Sequence, residues 1–297
     1  MIDVCLLGTG GMMPLPDRFL TSLYLRHEGR VVLIDCGEGT QTAIRKAELR
    51  FKPIEAILLT HYHADHVSGL VGLLLTLGNE SRNEPLDIYG PVGLKRVINA
   101  LRVLVPELPY ELNLNEISGG DTFTACGMEI TAIEADHGIP CLSYGVFLKH
   151  AGKFDPEKAR QNGVPLALWG RLQKGESIEG YTPEHVLGEK RQGIKLVYST
   201  DTLPLDEVVR YGQNADLMVL EGMFGGEEKN ERAELTHHST MNQSARLALR
   251  AGAKQLWFTH YSPANPHPEE FENEVREIFP NCVISCDAQR TTLRFVD

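Results

Sequence analysis

Thr60-His61-Tyr62-His63-Ala64-Asp65-His66 decides the reading of this chain. Positions 61–66 hold three imidazoles and one carboxylate. The residues just before, Ile54-Glu55-Ala56-Ile57-Leu58-Leu59, read as a buried strand. A buried strand that runs straight into a polar ligand cluster makes poor packing and good metal chemistry. Hydrolytic zinc takes neutral imidazoles and carboxylates and keeps a position open for water. In H-x-H-x-D-H, His61 and His63 can face one way and Asp65 and His66 another, so one segment serves two adjacent ions. Four ligands do not fill two sites, so others must come from far along the chain.

Three further ligand-type residues follow apolar strand-like runs: His137 after 130–135, Asp201 after 194–199 and His260 after 256–259. A single histidine in such a place is more often a hydrogen-bonded core or surface residue. Three of them together with the H-x-H-x-D-H cluster form a joint pattern that chance rarely supplies. The chain is therefore read as a metal-dependent hydrolase.

Around these positions, 4–7, 22–26, 31–34, 86–89, 122–125, 129–135, 144–149, 194–199, 217–220, 256–259, 283–285 and 292–296 read as strands. Helices are expected at 42–49, 67–77, 93–105 (stopped by Pro106), 240–251 (capped by Ser239 or Thr240) and 268–278. Strands followed by helices in each half predict an α/β fold of two similar sheets packed together with helices outside. Residues 150–192 break the pattern with repeated glycines and prolines, and read as an irregular arm with a short helix at 156–162.

The chain has 297 residues, 42% hydrophobic and 23% charged, enough for one large domain or two medium ones. No apolar run approaches the roughly 20 residues that span a bilayer. The first residues read as a strand rather than a signal peptide. The six cysteines are scattered, without a C-x-x-C pair, and read as reduced thiols of a cytoplasmic protein. The net charge of −11 excludes a generally basic surface. Residues 149–195 carry nine Lys/Arg against six Asp/Glu, which suits either a solvated mixed-charge loop or a local nucleic-acid contact.

Several motifs resemble the metallo-β-lactamase superfamily, and within it the ribonuclease Z branch, over nearly the whole chain. Leu7-Gly8-Thr9-Gly10-Gly11 is similar to that branch's opening glycine turn. Asp35-Cys36-Gly37-Glu38-Gly39-Thr40-Gln41 matches its D-C-G-E-G-T-Q element, His137-Gly138-Ile139-Pro140 resembles its H-G-V-P, and His238-Ser239-Thr240 its H-S-T. The resemblance implies an αββα sandwich of two mixed sheets flanked by helices, a single domain over 1–297 with a substrate-binding arm inserted at 150–192. It implies two zinc ions, with manganese or iron as alternatives, held by His61, His63 and His137 and by Asp65, His66 and His260, with Asp201 bridging. It implies attack on phosphorus by a hydroxide activated between the ions, oriented by Asp65. His238 would stabilise the developing charge or protonate the leaving oxygen, with Glu221 orienting it. Asp35 and Gly37 are read as shaping a turn beneath the metals, and His237 as a neighbour of the catalyst. The implied substrate is precursor tRNA, cut at the 3′ trailer by a cytoplasmic homodimer, with Arg171 and Lys174 on the arm as contacts.

The sequence departs from that pattern. The arm's P-P-G-P core is replaced by Pro165-Leu166-Ala167-Leu168, expected to leave Leu166, Leu168 and Trp169 exposed or against a partner. Leu220, Gly222 and Met223 replace the residues around Glu221 in the family's H-E-A-T. The S-A-R-Y after the last histidine becomes Ser262-Pro263-Ala264-Asn265, which removes an arginine near the phosphate. These changes leave the ligand set intact and bear on the substrate, so a hydrolase of a small phosphodiester such as a cyclic nucleotide stands as the alternative. A non-hydrolytic iron member of the superfamily is disfavoured because such members carry Glu where this chain has His63.

Overall fold

The computed structural model describes residues 1–105, 107–189 and 191–296. The helix stop at Pro106 and the arm cation Lys190 lie outside the described residues. Among the described residues, fourteen strands build two sheets. The first holds β1 (Ile2–Gly8), β2 (Ser22–His27), β3 (Arg30–Ile34), β4 (Ile54–Leu58), β5 (Leu86–Gly90) and β6 (Leu112–Glu116). The second holds β7 (Thr122–Ala125), β8 (Met128–Asp136), β9 (Pro140–His150), β10 (Arg191–Ser199), β11 (Leu217–Glu221), β12 (Leu256–Thr259) and β13 (Cys282–Ile284). The last strand, β14 (Gln289–Leu293), returns to the first sheet beside β1.

Both sheets are mixed. β14, β1, β2 and β3 pair antiparallel, and β3 to β6 pair parallel. In the second sheet β7, β8 and β9 pair antiparallel and β10 to β13 pair parallel. The two sheets are tied where Leu142 of β9 donates its N–H to the carbonyl of Thr60, and where Tyr144 donates its hydroxyl to that of Leu59. Helices flank the sheets and complete one apolar core on each side. Leu33 and Ile57 pack with Leu70, Leu73, Leu74 and Leu77 of the helix Leu70–Asn79. Met218 and Phe258 pack with Ala245 and Ala248 of the helix Met241–Ala251.

Three differences from the expected elements have local causes. The helix expected over 67–77 is two helices, Ala64–Val67 and Leu70–Asn79. The break falls at Gly69, whose N–H donates to the Cys36 carbonyl and where a Cβ would lie 2.2 Å from the Gly37 carbonyl oxygen. β6 and the helices Asp206–Tyr211 and Asn230–Leu235 were not expected; each is short, and β6 is only half-buried along a polar-rich sequence. Of the two candidate caps, Thr240 takes the role, in a reciprocal exchange with Gln243.

The chain divides into two compact units, Met1–Leu148 with Lys195–Arg294, and Lys149–Ile194 with Phe295–Asp297. The second unit is more regular than the expected irregular arm. It holds the helices Pro156–Gln161 and Leu166–Gln173 around a small core of Ala159, Val164, Leu168, Leu172 and Val186. The expectation for Pro165-Leu166-Ala167-Leu168 is corrected accordingly: Pro165 caps a helix, Leu166 is exposed, Leu168 is buried, and Trp169 packs on the core while its indole N–H donates to the Val164 carbonyl. Leu168 and Leu172 stand four apart on one helical face, a period too short in this segment to register against its glycines. His150 stacks on Phe295, and His185 closes the turn at Thr182.

Candidate metal centre

The site gathers at the carboxyl ends of parallel strands, where connecting loops converge and open sheets place their ligands. Asp35 follows β3, Thr60 and His61 follow β4, Asp201 follows β10, Glu221 ends β11 and His260 follows β12. Asp35, Asp201 and His260 adopt left-handed backbone conformations, with φ of 59°, 54° and 56°. Non-glycine residues held there carry strain of about 1–3 kcal/mol each, sustained by the surrounding structure. The glycine turn at the N-terminus is required by contact: a Cβ on Gly11 would sit 2.7 Å from the His260 ring.

All seven residues expected as ligands come together. His61, His63 and His137 form one group whose ligand atoms lie within 4.8 Å of one another. Asp65, His66 and His260 form a second, and Asp201 joins His61 and His66 in a third. Between the first two groups, Asp201 Oδ1 lies 3.7 Å from His137 Nε2 and Oδ2 lies 3.1 Å from His66 Nε2 and 3.3 Å from His260 Nε2.

The outer faces of these side chains are held by the protein. His66 Nδ1 is 2.9 Å from Asp35 Oδ2, and Asp35 Oδ1 accepts the Thr60 N–H at 2.8 Å. His137 Nδ1 is 3.1 Å from the His237 carbonyl, so it is the donor and Nε2 carries the lone pair facing inward. Asp65 Oδ2 accepts the Met12 N–H at 2.7 Å. Inside the ring, His66 Nε2 faces His260 Nε2 at 3.2 Å, and His63 Nδ1 faces His61 Nε2 at 3.0 Å. Apart from these close approaches, buried Asp201 Oδ2 and His260 Nδ1 have no hydrogen-bond partner among the described residues. Lone pairs converging without donors between them fit divalent cations, and this nitrogen and carboxylate set suits zinc, manganese or iron alike.

The local electrostatics agree with a cation site. Burial raises a carboxyl pKa, but His260, His66 and His61 outweigh it and hold Asp201 well below its usual range. Burial also lowers an imidazole; at His61 it prevails, whereas at His260 Asp201, Asp65 and Glu221 reverse it and raise the pKa to about 10.

His238 stands beside the ligands. Its Nδ1 lies 2.8 Å from Glu221 Oε2, while Glu221 Oε1 accepts the N–H groups of Thr202 and Ser239 at 3.0 and 3.1 Å. The resemblance implies this pair. The sequence reading gives Asp35 only a turn-shaping role and His237 none; Asp35 holds His66, and the His237 carbonyl holds His137 while its ring is 2.8 Å from Asp136. The strand-end Asp that opens D-C-G is the signal for the first; a backbone carbonyl leaves no signal for the second. Of the two cations expected as arm contacts, Arg171 pairs with Glu176 at 2.7 Å and Lys174 is exposed.

A cavity of about 440 Å³ opens on His63, Asp65, His137, Asp201, His238 and His260. Two mixed sheets flanked by helices, with this ligand cluster at their strand ends, define a metal-dependent hydrolase of the metallo-β-lactamase fold. Human tRNase Z, short form, has the same fold (TM-score 0.72, 24% identity, covering 99% of this chain and 100% of that one), as does the metallo-β-lactamase fold protein YhfI of Bacillus subtilis (TM-score 0.72, 18% identity, 98% and 100%). The family model described as Anti-Pycsar protein Apyc1 matches residues 2–157. Ribonuclease Z of Lachnoclostridium phytofermentans is 49% identical over 300 residues, 99% of each chain, and that of Agathobacter rectalis is 47% identical over the same share. The chain belongs to the ribonuclease Z family, and its N-terminal half to the sequences that the Apyc1 model spans. No helix among the described residues is long and apolar enough to cross a membrane.

Proposed function

We propose that this protein removes the 3′ trailer of precursor tRNA by phosphodiester hydrolysis. The observation that carries the reading is the His238–Glu221 pair set against a full complement of ligand residues, in a chain similar over its whole length to ribonuclease Z proteins. His61, His63 and His137 would hold one zinc, Asp65, His66 and His260 the other, with Asp201 shared. Zinc there supplies Lewis acidity and a nucleophile at neutral pH.

The protein's own groups do the rest. Asp65, fixed by the Met12 N–H, orients the attacking water through its carboxylate. His238 donates its Nε2 proton to the leaving 3′-oxygen while Nδ1 stays bonded to Glu221. Burial lowers the His238 pKa, but Glu221 and Asp201 raise it above its usual value, which keeps the acid form available near neutral pH. The unit Lys149–Ile194 acts as the substrate-binding arm of an otherwise single domain, with Arg171 and Lys174 among its contacts. The reading includes a homodimer, as the resemblance implies, and a cytoplasmic setting, supported by six unpaired cysteines.

The second reading, a small phosphodiester such as a cyclic nucleotide, is favoured by the altered arm and by the Arg171–Glu176 pair, which occupies one arm cation. Incubating the zinc-loaded protein with 3′-extended precursor tRNA and, separately, bis(p-nitrophenyl) phosphate decides between them. Cutting at the 3′ end of the acceptor stem establishes the first reading. Cleavage of the small ester alone overturns it in favour of the second.

A further inference from the structure

The stretch after His260 lacks the arginine that the family resemblance leads one to expect near the phosphate. Ser262 lines the cavity there, and its hydroxyl accepts the Ala264 N–H at 3.1 Å. A phosphodiester brings negative charge, and the ligand residues supply no fixed cation of their own. Among the described residues, one lysine or arginine lines this cavity: Arg232, on the helix Asn230–Leu235. Its guanidinium lies 5.9 Å from the centroid of the Phe224 ring, which also lines the cavity. Arg210, Arg246 and Arg250 on other helices are paired with carboxylates, whereas Arg232, like Arg96 and Arg160, has no carboxylate partner among the described residues. Stacking on an aromatic face leaves the guanidinium's in-plane N–H donors available to an anion. The same helix leads through Thr236 into His238, so the cation and the general acid are carried on one short segment.

We propose that Arg232 is a substrate-binding residue that holds a non-bridging oxygen of the scissile phosphate, supplying from this helix the charge that the segment after His260 lacks. The proposal rests on the phosphodiesterase reading above, but not on the identity of the RNA. A guanidinium can grip two phosphate oxygens at once, whereas lysine offers only a point charge.

The test compares wild type, Arg232→Ala and Arg232→Lys in the zinc-loaded protein, on precursor tRNA and on bis(p-nitrophenyl) phosphate, with inorganic phosphate as competitive inhibitor. Arg232→Ala should lower kcat/KM on every substrate the wild type cuts by roughly 10–100-fold, the scale of a lost charge-assisted contact. It should weaken phosphate inhibition in step, with zinc content and circular dichroism unchanged. Arg232→Lys should recover part of both. Unchanged kcat/KM and phosphate inhibition in Arg232→Ala would overturn the proposal, as would a loss confined to the RNA, which would move Arg232 to a flanking contact. If wild type cuts only the small ester, the tRNA reading fails and the role of Arg232 is read from that ester alone.

Discussion

His66 Nδ1 lies 2.9 Å from Asp35 Oδ2, and neither side chain is exposed to solvent. Asp35 therefore determines which nitrogen of His66 faces the cavity. Its other oxygen takes the Thr60 N–H, so one carboxylate locks the loop after β4 and the ring that loop presents. Burial lowers the His66 pKa, and Asp201 and Asp35 more than reverse that.

Asp35→Asn keeps the volume and removes the charge. Zinc affinity should fall by roughly 10–100-fold, as for other partners that orient a metal-bound histidine. Competition with a chromophoric chelator measures it. Wild-type affinity in this variant would return Asp35 to a turn-shaping role.

His63→Ala should abolish hydrolysis and lower the zinc bound per chain, read by elemental analysis. His63 is exposed at the mouth of the site, so the fold should survive and circular dichroism should match wild type. Full activity with zinc retained would remove His63 from the ligand set.

His238→Ala should slow turnover by roughly 10²–10⁴-fold, the usual scale of general acid catalysis, with metal content unchanged. Loss of zinc together with activity would make His238 structural instead.

Glu221→Gln tests the pH dependence. An acid that must be protonated loses activity as pH rises through its pKa. Glu221 raises the His238 pKa, so removing its charge lowers it, and the alkaline limb of kcat should move to lower pH. An unmoved alkaline limb in a folded, zinc-loaded variant would separate Glu221 from the acid.

Deleting residues 151–188 should eliminate cleavage of precursor tRNA and spare bis(p-nitrophenyl) phosphate. The deleted segment packs on its own small core, so the remaining sheets keep their apolar interior. Equal loss on both substrates would give the segment a role in the fold.

The strands that carry site residues were legible because each is a run of apolar residues ending abruptly in a polar one, as Ile54–Leu58 does before His61. The arm was less legible. Its helix Leu166–Gln173 rests on two buried leucines between glycines, too few positions to establish a period. The helix Asn230–Leu235, with Arg232, gave no expectation at all, since it buries only Ala233.

The amino-acid sequence alone determined the kind of chemistry and the residue types for it, because metal ligation restricts the choice to a few side chains and local spacing records it. Tertiary structure decided which of those groups meet and which atom of each faces inward. The His66 tautomer depends on Asp35, 31 positions away, and the His137 tautomer on a carbonyl 100 positions away. The first contact is brought about by sheet topology, which local spacing does not record, and the second by a backbone atom common to every residue, which leaves no mark in the order of side chains.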